Sequence, residues 1–208
     1  MRLQRLMVFA AVALTPSIGT ATPLLSEVLY DAPGADAGGV FVEVAGPPGT
    51  DLSGFVLEGI NGANGASTGS VALTGTIPGD GLFVVASDRG DGTSDIAGAD
   101  LVRAFDFQNG PDSIVLRNVT GVVDALAYGA FGPGTVFAGE GAPAPDTAPG
   151  QSLARYFADR DTDSNATDFR VLDTPTPGAA AFAVPEPGSL LLCLAGLLAL
   201  AARRHRAL

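Results

Sequence analysis

Val40-Phe41-Val42-Glu43-Val44, stopped by Gly46-Pro47-Pro48-Gly49, is the stretch on which the fold turns. Its three valines recur at period two, so they share one face of an extended chain, and β-branched side chains suit a strand better than a helix. Leu82-Phe83-Val84-Val85-Ala86 is apolar on both faces and reads as a central strand. Outward from these two, strands are expected over 24–30, 55–58, 70–73, 113–117, 122–128 and 152–157. Asn118-Val119-Thr120-Gly121 between two of them is a hairpin signal. Gly59 to Gly69 reads as a flexible loop, and residues 129–149, rich in Gly, Ala and Pro, as an insertion loop. No long helical periodicity appears before the tail. Short strands at this spacing with Gly and Pro in the turns predict an all-β chain folded as a β-sandwich over residues 22–178, a length that supports one domain with a real core.

Charge separates this segment from its flanks. All twenty-two acidic residues lie from Glu27 to Glu186, opposed there by Arg89, Arg103, Arg117, Arg155, Arg160 and Arg170, so six against twenty-two leaves −16. A basic patch for nucleic acid is excluded. Such acidity keeps a secreted protein soluble or lets it share divalent cations with acidic polysaccharide. Lysine is absent from the chain, and the single cysteine and single histidine, Cys193 and His205, both sit near its end.

The two flanks carry addresses. Arg2 and Arg5 precede an apolar stretch running to Leu14, and Gly19-Thr20-Ala21 offers small residues at −3 and −1 of a signal peptidase site, so residues 1–21 read as a signal peptide removed after Ala21. A retained N-terminal anchor is the alternative, and in either case the middle of the chain is exported. At the other end Val184-Pro185-Glu186-Pro187 follows a short linker from residue 179 and precedes an uncharged apolar run from Gly188 to Ala202 and then Arg203-Arg204-His205-Arg206, with residues 188–208 forming a membrane helix and basic tail. Fifteen helical residues reach only ~22 Å against a hydrocarbon core of ~30 Å. That length suits a removable tag better than a permanent anchor. Pro185, Glu186 and Pro187, the short helix, and Arg203, Arg204 and Arg206 together resemble the PEP-CTERM sorting signal of Gram-negative bacteria. The resemblance implies cleavage near the tripeptide by an exosortase-type protease, a transient stay in the inner membrane, and delivery to the outer surface or an exopolysaccharide matrix. A plain C-terminal anchor is the competing reading.

The missing residue types exclude much chemistry. Triads built on His or Cys, His-containing zinc sites, Schiff-base lysines and Walker-type loops have no residues to build them in the exported segment. Gly65-Ala66-Ser67-Thr68-Gly69 matches the nucleophile-elbow pattern, but no base is present to take the Ser67 proton. Arg89-Gly90-Asp91 reads as a turn.

Leu25-Ser26-Glu27-Val28-Leu29-Tyr30, Phe41-Val42-Glu43 and Asp51-Leu52-Ser53-Gly54-Phe55-Val56-Leu57 resemble the opening of a lamin tail domain. Gly150-Gln151-Ser152-Leu153-Ala154-Arg155, the run from Asp161 to Phe169, and Pro175-Thr176-Pro177-Gly178 resemble the closing motif of the bacterial branch of that family. Phe55 stands where the family usually has Trp, and Ala45-Gly46 where an Asn commonly follows the strand. The resemblance implies an immunoglobulin-like sandwich used as a non-catalytic module, often attached to secreted hydrolases.

One constellation has metal-ligand character. Asp159, Asp161, Asp163, Asn165 and Asp168 place oxygens on alternate residues, in the style a hard cation such as Ca²⁺ takes, and Asp88, Asp91 and Asp95 form a fainter copy. Ser164 and Arg170 occupy the places where an EF-hand wants Gly and a bidentate Glu. The structural alternative makes these residues turn and cap groups, with Asp163 or Asp168 pairing with Arg155 or Arg160. No catalytic residue, cofactor or metal is assigned on these grounds. The expectation is a non-enzymatic surface or matrix protein, with an anchoring module for a partner hydrolase and a carboxylate-dependent glycosidase as alternatives.

Overall fold

The structure, a computed structural model, describes residues 22–158 and 160–180. The signal segment with Ala21, the tag with Pro185, Glu186, Pro187, Arg203, Arg204 and Arg206, and the calcium candidate Asp159 lie outside the described residues.

Among the described residues ten strands and one helical turn follow one another: β1 Leu24–Leu29, β2 Phe41–Ala45, β3 Val56–Asn61, β4 Ser67–Ala72, β5 Leu82–Ser87, β6 Leu101–Arg103, β7 Asp112–Asn118, β8 Gly121–Tyr128, β9 Ser152–Arg155, α1 Asn165–Asp168 and β10 Phe169–Leu172. They form a six-stranded sheet in the order β10-β9-β1-β2-β5-β6 and a four-stranded sheet in the order β4-β3-β7-β8. All pairings are antiparallel except β5 with β6. Among the described residues no helix is long and apolar enough to cross a membrane. The membrane helix expected over 188–208 lies beyond them.

The two sheets bury one continuous apolar cluster. Leu25, Val28, Val42, Val44, Phe83, Val85 and Leu153 come from the larger sheet, and Leu57, Val71, Ile114, Leu116 and Leu126 from the smaller. Val42 and Val44 share the core face, as their period requires, while Val84 packs on the opposite side with Phe41, Leu29 and the half-buried Ile96 and Ala99. The larger sheet is therefore covered on its outer face too, which is why β2 and β5 are buried throughout.

The hairpin at Asn118 forms as expected. Asn118 Oδ1 accepts the Thr120 backbone N–H at 2.8 Å and its hydroxyl at 2.6 Å, and Gly121 takes a φ of 137°. The reading of 59–69 as a flexible loop is corrected: Gly59 to Asn61 end β3, Ser67 to Gly69 begin β4, and only a tight turn lies between. Asn61 and Asn64 each accept an N–H two residues on, from Ala63 and Ala66 at 2.8 Å, so these asparagines close a hairpin. Gly59 belongs to the strand because Thr68 and Phe107 crowd the place a Cβ would take. Ser67 stands exposed on an edge strand. Two strands escaped the sequence reading, β6 and β10, both too short to show a period.

The segment 129–149 crosses the end of the sandwich without forming a strand and is tied down at named points. Ala144 bridges Tyr128, and the Tyr30 hydroxyl donates to Asp146 at 2.8 Å while accepting the Thr147 N–H at 2.9 Å. Tyr30 stacks on Tyr128 with ring centres 4.1 Å apart.

Candidate functional site

Arg155, the last residue of β9, points its guanidinium into the end of the sandwich with no side-chain exposure. A buried cation must be paired and hydrogen-bonded, and each nitrogen of this one is. Nη2 makes two bonds to Asp124 of β8, at 2.9 and 2.8 Å; Nε donates to the Leu25 carbonyl at 2.9 Å; Nη1 reaches Asp168 at 3.1 Å, the Arg160 carbonyl at 3.2 Å and Asp161 at 3.4 Å. Phe169 lies under the guanidinium at 4.7 Å. Asp124 also accepts the N–H groups of Leu25 at 2.6 Å and Ala125 at 2.9 Å. Burial pushes the Asp124 carboxyl above its ordinary value, against the pull of the Arg155 charge and the Leu25 amide.

Of the predicted calcium residues, Asp161 and Asp168 bond to Arg155, Asn165 engages backbone groups around it, and Asp163 donates its N–H to Asp161. Asp168 accepts from Arg155, the Thr162 N–H at 2.9 Å and the Thr162 hydroxyl at 2.8 Å. Asn165 is fully buried; its Oδ1 accepts the N–H groups of Ala127 at 2.9 Å and Glu140 at 3.0 Å, and its Nδ2 donates to the Ala125 carbonyl at 2.7 Å. The asparagine amide thus pairs with β8 as a neighbouring strand would and closes that edge. Asp161 accepts the Asp163 N–H at 3.0 Å in a turn where Asp163, exposed, takes a φ of 53°. In the fainter copy, Asp88 accepts from Gly90 and Gly92 at 2.7 and 2.9 Å, Asp91 from Thr93, and Asp95 pairs with Arg89. Arg89-Gly90-Asp91 is accordingly a turn.

The structure gathers a different trio. Asp124, Glu140 and Asp161 bring carboxylate oxygens within 4.8 Å of one another, and only Asp161 was among the predicted ligands. Glu140 Oε2 is buried without a hydrogen-bond partner, and burial together with repulsion from Asp124 and Asp161 pushes that carboxyl up to about 8. That shift favours the protonated carboxyl. A divalent cation at this trio has to compete with a proton for Glu140 and with Arg155 for Asp124 and Asp161. The signals for the trio were thin: Asp124 is a lone charge inside an apolar strand, and Glu140 sits in a loop whose docking no periodicity reveals.

A second pair of buried carboxylates lies on the outer face of the larger sheet. Glu27 of β1 and Glu43 of β2 stand directly opposite each other. Glu27 accepts the Ser152 hydroxyl at 2.6 Å, the Thr176 N–H at 2.8 Å and the Thr176 hydroxyl at 2.6 Å. Glu43 accepts the Ser26 hydroxyl at 2.7 Å and the Gly178 N–H at 2.7 Å. Burial raises the Glu43 carboxyl to about 7, with Glu27 and Asp80 adding to the rise and the bonds from Ser26 and Gly178 opposing it. Among the described residues one depression of about 330 Å³ lies beside Asn61, Gln108 and Asp112, and another of about 160 Å³ between Tyr156, Phe157, Arg160 and Thr162.

Neither the curated proteins nor the solved structures contain a match to this chain. The family described as the PEP-CTERM protein-sorting motif matches residues 183–206, so the chain carries at its end the signal of an exported protein that undergoes exosortase-dependent sorting at the membrane.

Proposed function

We propose that this chain is a non-enzymatic cell-surface or extracellular-matrix protein, whose domain is an immunoglobulin-like sandwich of lamin-tail type acting as a binding or structural module. One observation carries the reading: the residues on which the lamin-tail resemblance rests bond to one another. Ser26 bonds Glu43, Ser152 and Thr176 bond Glu27, Gly178 bonds Glu43, and Arg155 bonds Leu25 and Asp168. The motif is used to close the fold. A glycosidase needs two carboxyl groups ~5 to ~10 Å apart flanking a space for sugar. Glu27 and Glu43 instead lie under the chain's own 174–178 segment, and Asp124 and Asp168 are spent on Arg155.

The tail supplies the address. An exosortase-type protease removes it near Pro185 to Pro187, and the acidic sandwich then joins the surface or an exopolysaccharide matrix. Fractionation of producing cells tests this: the full chain is expected in the surface or matrix fraction, and a chain ending at residue 182 is expected to be lost from it. Co-purification of a hydrolase would favour the anchoring-module alternative, and turnover in a glycosidase screen would favour the enzyme.

A further inference from the structure

The buried pair Glu27 and Glu43 poses a physical problem that its partners resolve. Like charges directly opposite on a sheet are destabilising, and these two are 1% and 2% exposed. Their oxygens are taken by Ser26, Ser152, the Thr176 N–H and hydroxyl, and the Gly178 N–H. Thr176 and Gly178 belong to a segment without regular structure that follows β10 and lies across the outer face of the sheet. Gln151 adds a bond to Asp173 at 2.6 Å, and the Ala179 N–H closes a turn onto the Thr176 carbonyl at 2.9 Å. The two glutamates thus hold this exit strap through three hydrogen bonds.

The same strap leads directly to the sorting motif matched over residues 183–206. From Gly178, the last of the described residues to bond the sheet, to Pro185 the chain advances seven residues and reaches at most ~25 Å. From Leu172, the end of β10, it advances thirteen and reaches ~45 Å. A folded domain of this size is ~40 Å across. With the strap pinned, the tether to the cleavage region is shorter than the body it carries; with the strap free, it is longer.

We propose that Glu27 and Glu43 form a latch that slows removal of the tail, by keeping the folded sandwich on a tether too short to let the membrane-bound protease approach freely. The proposal rests on the tail being processed. A protease working at the bilayer surface needs the space that a body held within ~25 Å of its target excludes. Releasing residues 173–178 supplies that space with the two sheets intact. Glu27 and Glu43 are thus positioning residues for processing, acting through the strap and touching no reacting atom.

The test uses the full chain in cells that carry its processing machinery, with the half-time of tail removal followed by pulse-chase. Thr176→Pro combined with Gly178→Pro removes the Thr176 N–H and hydroxyl and the Gly178 N–H that the two glutamates hold. A second variant leaves the latch intact and inserts seven Gly/Ser residues after Ala180. Both are expected to shorten the half-time severalfold. Amide exchange on the purified proteins is expected to show Thr176 and Gly178 protected in the wild type, and the double variant is expected to lose protection after β10 while β2 and β5 keep theirs. An unchanged or longer half-time for the insertion overturns the brake, as does acceleration confined to the double variant, which points to unfolding. Free exchange at Thr176 and Gly178 in the wild type overturns the latch itself. A wild-type tail that is never removed overturns the processing reading and the brake together.

Discussion

Arg155 and Asp124, thirty-one residues apart in sequence, face each other across the end of the sandwich in a two-bonded pair at 2.8 and 2.9 Å, with neither side chain exposed. The pair joins β9 of one sheet to β8 of the other, and through Leu25 it also ties β1. Removing one partner of a buried pair leaves an uncompensated charge, at a cost of ~3–5 kcal/mol. Arg155→Met is therefore expected to lower the stability measured by urea denaturation by that amount. Arg155→Met with Asp124→Leu is expected to recover a large part of it, since both charges leave together. A loss below ~1 kcal/mol in the single variant contradicts the role given to this pair.

Asn165 acts as a substitute strand for β8. Asn165→Ala removes three hydrogen bonds and leaves the Ala127 N–H and Ala125 carbonyl of a buried edge without partners. The expected cost is ~2–3 kcal/mol, read from the thermal midpoint, together with concentration-dependent association seen by size-exclusion chromatography, because an uncovered edge invites pairing. A variant that is as stable and as monomeric as the parent argues against the edge-closing role.

The carboxyls of Glu43, Glu140, Asp124 and Asp106 are all raised, so all four push the pH dependence the same way, and the two glutamates set its window. Glu43 at about 7 and Glu140 at about 8 both start from the ordinary glutamate value of 4.5, so between 4.5 and 8 the folded chain keeps protons that the unfolded chain has released. Stability is then greatest near the acidic end of that window and falls as pH rises through it. Urea midpoints are expected to drop from pH 5 to pH 9. Glu43→Gln is expected to flatten the part below 7, and Glu140→Gln the part reaching to 8. Midpoints that rise over this range would falsify the assignment of bound protons to these groups.

Calcium is expected to leave the thermal midpoint unchanged at millimolar concentration and neutral pH. Arg155 and Thr162 hold Asp168, the amides of Ala127 and Glu140 hold Asn165, and the raised carboxyl of Glu140 favours its protonated form over a metal. A calcium-induced rise that Asp161→Ala abolishes would show a cation entering the trio of Asp124, Glu140 and Asp161.

Much of the two-sheet plan was legible because its strands carry local signals. The alternating valines around Glu43, the doubly apolar run at Leu82 and the Asn118 turn each specify conformation within a few residues, and each forms where expected. What could not be read depends on distant partners. Glu43 looks like the solvent face of its strand until Gly178, 135 residues away, is laid over it. The acidic run near Asp161 has the spacing of a cation loop, yet Arg155, Ala125 and Ala127 engage its oxygens and amide instead. Glu140 gained its role only when its loop was pinned back against β8 through Asn165 and Ala144.

Whether the tail directs the exported domain and is then removed is read from the intact mass of the protein recovered from producing cells. The expected mass is that of a chain beginning at Thr22 and ending between Val184 and Pro187, and a chain still ending at Leu208 refutes removal of the tail.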